Sequence, residues 1–148
     1  MKKILLITAA LLTSGCPGPG DYYHPDYPAQ VKIKDNKLCV TVQPQDDEKL
    51  YAIHIYEMVD MAREKLFAPP PYNIRADQCL DLAAYPFRLN TAYVVSVTLS
   101  SEKKHKRGDF PWGRGFNTYF RLTESVTGLQ VEEVEPQPPN WPVNRTGE

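Results

Sequence analysis

Three histidines, three cysteines and one acidic triplet are the groups in this 148-residue chain whose types could support acid–base, nucleophilic or metal chemistry. His24 lies among prolines, His54 on the polar phase of an alternating run, and His105 in a basic cluster. A metal centre needs several imidazole, thiolate or carboxylate ligands at compatible spacing, and no histidine stands so placed from Cys39 or Cys79. No serine or cysteine sits in a nucleophile motif such as G-x-S-x-G, and no glycine-rich phosphate loop, H-E-x-x-H or calcium-loop pattern occurs. Asp46-Asp47-Glu48 follow Pro44 in what reads as a solvated hairpin turn rather than a carboxylate site. The chain is expected to carry no catalytic residue, no metal and no cofactor, and not to be an enzyme.

Charge is where the sequence concentrates its chemistry. Lys103, Lys104, His105, Lys106 and Arg107 are consecutive, and Phe110, Trp112 and Arg114 follow within seven residues. The chain as a whole has 17 basic and 18 acidic residues, so this cluster is a local excess. That overall balance argues against a nucleic-acid partner, whose phosphates demand a broad basic surface. Trp and Arg are favoured anchors of protein interfaces, and a positive patch steers acidic partners or anionic headgroups. Lys103, Lys104, Lys106, Arg107, Trp112 and Arg114 are therefore the candidate partner-binding residues. A solubilising turn with a tryptophan tucked beneath it fits the same segment, and the sequence leaves both readings open.

The elements that would position this segment read as strands. Val31 and Ile33 alternate with polar residues before the turn Lys34-Asp35-Asn36-Lys37, and Leu38, Val40 and Val42 resume the alternation. Tyr51, Ile53 and Ile55 form a further run, then Leu80 and Leu82, then Tyr93 to Leu99, then Phe116 to Leu122. Leu129 to Val134 adds an edge strand. Met58 to Leu66 has some helical spacing, but Pro69-Pro70-Pro71 stop it. It is read as a short edge strand or turn ending near Phe67, with one helical turn as the alternative. Period two with abundant β-branched and aromatic residues marks an all-β chain. About seven short strands predict an antiparallel β-sandwich of immunoglobulin or fibronectin type III kind over residues 30–134. Tyr93, following Phe87 to Ala92, resembles the tyrosine corner of such sandwiches, placed on the penultimate strand with its hydroxyl returning to upstream backbone.

Cys39 and Cys79 are an even pair and are expected to form a disulfide if the chain is exported. Each is out of phase with its apolar neighbours, so alternation points both away from the core. The bond is thus expected as an outer-face or edge staple.

The ends carry the address. Lys2 and Lys3 precede nine residues, Ile4 to Leu12, a run of Ile, Leu, Thr and Ala too short to span a bilayer. Leu12-Thr13-Ser14-Gly15-Cys16 resembles the end of a bacterial lipoprotein signal, with Thr13 where the commonest form has Leu. That resemblance implies removal of residues 1–15, lipidation of Cys16 and a membrane anchor rather than a membrane span. Loss of Lys2 and Lys3 takes the formal charge from −1 to −3. Of the 14 prolines, four crowd residues 17–28 and four residues 136–142. Residues 16–29 read as an extended tether and 135–148 as a flexible Pro-rich tail.

Taken together, the signal running into Cys16-Pro17-Gly18-Pro19-Gly20-Asp21, the Asp35-Asn36-Lys37-Leu38-Cys39-Val40 strand, and Cys79-Leu80-Asp81-Leu82 with Tyr85, Phe87 and Tyr93 resemble a family. It is that of small enterobacterial periplasmic lipoproteins assigned to type VI secretion immunity. The likeness covers most of residues 1–122, and the Lys103 to Trp112 segment looks longer and more basic than the family pattern. The resemblance implies a periplasmic protein, anchored to the outer membrane in preference to the inner because Pro17 follows the cysteine. Its partner would be a cognate secreted toxin, neutralised by stoichiometric binding. The alternative of another class is a structural or accessory lipoprotein of the cell envelope.

Overall fold

In a computed structural model, residues 25–60, 63–82 and 84–136 are described. Cys16, the signal, most of the tether and the tail from residue 137 lie outside the described residues. The alternating runs become strands, and the first three are β1 (Asp26–Pro28), β2 (Gln30–Lys34) and β3 (Lys37–Thr41). β4 (Lys49–Glu57) and β5 (Lys65–Phe67) come next, and β6 (Ala92–Ser100) leads into a helix, α1 (Glu102–Arg107). β7 (Gly113–Ser125) and β8 (Gly128–Glu133) complete the described fold.

The strands make an all-β, sandwich-like fold with unequal layers. One sheet has six strands in the order β1-β7-β6-β4-β5, with β8 also on β7, and the other is the β2–β3 hairpin. That hairpin turns on Asp35 and Asn36 at φ 51° and 56°, the left-handed pair that matches strand twist in a two-residue turn. The second layer is completed not by strands but by irregular chain between β5 and β6. Ile74, Leu80, Leu82 and Tyr85 of that chain join Val40 and Val42 over Ile53, Ile55, Val95, Val97, Phe116 and Phe120 in one buried cluster.

Three expectations about strands are corrected. The first concerns the segment Cys79 to Leu82, which is irregular. Leu80 and Leu82 are buried there as the alternation suggests. Leu80 donates its N–H to the Val40 carbonyl (2.9 Å), a single link and not a ladder. The second concerns Asp26–Pro28, read as the end of the tether, which is β1 and pairs parallel with Gly115–Asn117. Proline at a strand end on a sheet edge forfeits no ladder bond, so the Pro-rich text misleads. β1 thus belongs to the sheet, which is not wholly antiparallel. The third is the count: among the described residues there are eight strands, and two of them follow the strand that Tyr93 enters. The uncertain segment does end in an edge strand at Phe67, paired with β4.

The tyrosine corner is present. Tyr93 is fully buried, and its hydroxyl accepts the Arg88 N–H at 2.8 Å. The Arg88 guanidinium meanwhile meets buried Glu57 at 2.6 Å, so the corner is fixed at both ends. Cys39 and Cys79 form the disulfide. Cys39 stands outside the core cluster, in keeping with its phase, but it does not face solvent. It is 1% exposed, because the half-buried Cys79 segment runs along β3 and covers it.

Candidate partner-binding site

The expected hairpin loop between β6 and β7 is in fact built around α1. Helix formation here rests on its ends. Ser101, fully buried, caps the first turn by accepting the Lys104 N–H at 3.1 Å, an N-cap role that serine fills well. Gly108 ends the helix at φ 72°, the left-handed conformation that glycine adopts without strain. Glu102 and Lys106 pair one turn apart at 2.7 Å, and the cations sit in the last turn, where the helix dipole favours them.

The acidic triplet is not simply a solvated turn. Asp47 accepts the Ser101 hydroxyl at 2.7 Å and the Lys103 N–H at 3.2 Å, tying the β3–β4 turn to the start of α1. The Ser101 hydroxyl, then the Lys103 amide, hold the Asp47 carboxyl below its ordinary value of 3.8. A carboxylate with a lowered folded-state pKa contributes stability in full above the unfolded value and loses it as pH falls through the folded one. The melting temperature of Asp47→Asn should therefore lie below that of the parent at neutral pH. The difference should shrink as pH falls below 3.8 and through the lowered folded-state value, and a difference constant across pH would disprove the linkage.

Glu48 is buried outright. It grips Arg114 with two parallel bonds, Nε to Oε1 at 2.8 Å and Nη2 to Oε2 at 2.5 Å, and Nη2 also reaches the Gln43 carbonyl at 2.8 Å. The Arg114 guanidinium lies between the Tyr27 and Phe116 rings, 5.1 and 4.9 Å from their centroids. The bond to Glu48, more than any other influence, raises its pKa further above an already high value. Arg114 is 7% exposed and turned inward, so it is removed from the candidate contact set. A Cβ at its neighbour Gly115 would meet the end of the Asp26 side chain on β1, which would have to shift.

The remaining candidates stay together. Lys103, Lys106 and Arg107 are exposed on α1 and Lys104 is half-buried. Lys106 is engaged with Glu102, and Arg107 with Asp109 at 2.7 Å. At about 100° per residue, Lys103 and Arg107 lie nearly opposite His105 on the helix. His105 turns to the Trp112 ring, 5.1 Å between centroids, and Phe110 meets Trp112 edge-on at 5.4 Å. Behind them a cleft of about 290 Å³ opens on the uncovered face of the large sheet. Tyr51, Thr98, Ser100, His105, Trp112 and Gly113 line it. Tyr51 and its bulge at β4 are what the strand alternation does not disclose: the register shifts between Leu50 and Ala52, leaving Tyr51 54% exposed.

The other histidine among the described residues, His54, lies on the same uncovered face with its Nε2 against Glu64. Among the described residues no group of three or more His, Cys, Asp or Glu is placed to hold a metal ion.

Fold and site thus define an all-β, sandwich-like protein whose large sheet ends in a capped cationic helix beside an aromatic cleft. The chain belongs to the family described as Domain of unknown function (DUF7480), whose model matches residues 26–125. The match runs from the first residue of β1 to the last of β7. No curated protein and no solved structure matches it.

Proposed function

We propose that this protein is a lipid-anchored periplasmic immunity protein, held to a membrane through Cys16, that neutralises a type VI secretion effector by one-to-one binding. The single observation that supports it is the outer face of α1. Four cations on one short helix, fixed to the sandwich by Asp47 and Ser101, form a preorganised positive surface on a chain of formal charge −1. Preorganisation lowers the ordering cost of binding, and a positive patch accelerates encounter with an acidic surface. An inhibitor that covers a toxin's active site needs nothing further. Lipidation at Cys16 would hold it in the compartment the toxin enters, with the outer membrane favoured. An accessory role in the cell envelope is the second reading, favoured by the small aromatic cleft, which is of a size for a ligand rather than a protein.

The test is rescue. The toxin-like product of a neighbouring gene is exported to the periplasm of cells carrying either the full chain or its K103E/K104E/K106E/R107E variant. The full chain is expected to restore growth and to bind the toxin one-to-one. The variant should lose affinity by about 100-fold or more, as like charge is set against like at several contacts. Failure of the full chain to bind or rescue rejects immunity and leaves the envelope reading. Undiminished binding by the variant rejects α1 as the contact.

A further inference from the structure

We propose that the cleft beneath α1 binds a pyranose sugar carrying an anionic group. Its chemistry differs from that of the other concave regions. The groove past Leu38, Leu80, Leu82, Leu122 and Leu129 is lined mainly by leucine, with Tyr85 and Phe87 among them, whereas this cleft sets Tyr51 and Trp112 beside the Thr98 and Ser100 hydroxyls. A pyranose has one face of C–H bonds and a rim of hydroxyls. It is matched by a flat ring against the face and by donors and acceptors around the edge, the mixture of apolar walls and few polar groups that small-ligand sites use.

Tyr51 supplies such a ring from one wall, more than half exposed on its strand bulge. Trp112 supplies the other from the start of β7, its orientation set by edge contacts with His105 and Phe110. Thr98 and Ser100 place hydroxyls on the floor between them, two residues apart on one face of β6. The Ser100 hydroxyl donates to the Trp112 carbonyl at 3.4 Å and keeps its acceptor capacity. Gly113 adds no side chain, which keeps the floor low. About 290 Å³ suits one or two sugar rings.

The anionic substituent follows from the flanks. Lys49 lies directly across from Ser100 in the β4–β6 register, and Lys104 adjoins His105 on α1. Glu102, the acidic residue of the helix, is already matched by Lys106. A carboxylate on the sugar would meet these two cations at the rim. This site uses the inner side of α1 and shares half-buried Lys104 with the cationic set argued above, but its test reads sugar binding and not toxin binding.

The chain has two tryptophans, Trp112 and Trp141, so Trp141→Phe makes Trp112 the sole indole reporter. In that background, N-acetylmuramic acid, which carries a carboxylate, is titrated against intrinsic fluorescence, with neutral N-acetylglucosamine and sodium lactate as comparisons. A saturable change with Kd on the order of 1 mM is expected for the acidic sugar, a usual strength for so small a ligand. The neutral sugar should bind about fivefold more weakly, and lactate should give no saturable change. Tyr51→Ala should weaken the acidic sugar at least about fivefold while leaving the melting temperature unchanged, because the ring is largely exposed. No saturable response to either sugar, an equal response to lactate, or an unaltered response in Tyr51→Ala would overturn the proposal.

Discussion

Glu48→Ala is expected to lower the unfolding free energy by about 3–5 kcal/mol, among the largest single-residue effects in the molecule. The size comes from what is left behind. Arg114 and Glu48 have side chains only 9% and 2% exposed, so removing the carboxylate strands a guanidinium among the Tyr27 and Phe116 rings without counter-charge. The Gln43 carbonyl stays as a partner, a dipole in place of an ion. Urea denaturation followed by near-UV dichroism measures the loss. A Glu48→Leu, Arg114→Met double variant separates pairing from packing. Since two charges are then removed together, it should unfold at higher urea than Glu48→Ala alone. A loss below about 1 kcal/mol in Glu48→Ala would show that water reaches the pair.

Opening the disulfide should cost a comparable amount. Cys39 and Cys79 close a loop of 40 residues, and in the chain-entropy model such a cross-link stabilises by roughly 4 kcal/mol through the unfolded state. The loop enclosed is not incidental. It holds β4, β5 and the irregular chain that supplies Ile74 to the core, and Leu80 follows directly after Cys79. That chain has little ladder bonding of its own: Leu50 and Tyr72 form an isolated bridge, and Leu80 touches β3 through one backbone bond. The Cys39→Ala, Cys79→Ala variant is expected to lose about 2–5 kcal/mol. Amide exchange should show first where the lost constraint is local, at residues 68–82, before β6 and β7. Uniform acceleration across both sheets would instead mean that the bond supports the whole fold.

Much of this architecture could be read in advance where a local rule governs it. Six of the seven alternating runs became β2, β3, β4, β6, β7 and β8, because burial of one sheet face imposes period two on the chain. Tyr93 could be placed because a tyrosine corner has its own spacing. What escaped was governed by distant partners or by few residues. α1 is six residues long, too short to show a helical period, and only Ser101, the Glu102–Lys106 pair and Gly108 hint at it. Glu48 and Arg114 are 66 positions apart, so nothing local distinguishes Glu48 from its solvated neighbour Asp46. Leu80 and Leu82 show the converse failure: alternation reported their burial correctly and their strand wrongly, since irregular chain can also present alternate residues inward. At the candidate site, the cations and Trp112 were legible as composition, whereas Tyr51 entered through a bulge and Arg114 left through a buried bond.

The way β7 shares its edge gives the molecule a preferred point of yield under load. Its first half is flanked by β1 and its second by β8, and β1 is the strand nearest the N-terminal arm. Backbone links at its two ends are Gly115 N–H to the Pro25 carbonyl and Ala29 N–H to the Asn117 carbonyl, each 2.9 Å. Tyr27 adds its ring contacts with Phe116 and Arg114. A pull on the arm therefore strains these few contacts before it reaches the β4–β6–β7 ladders. Peeling residues 25–29 would lengthen the arm by about 15 Å, and the six remaining strands of both layers together with β8 would keep their pairing. If Cys16 is anchored as proposed, the short parallel strand would act as a mechanical fuse between leash and body.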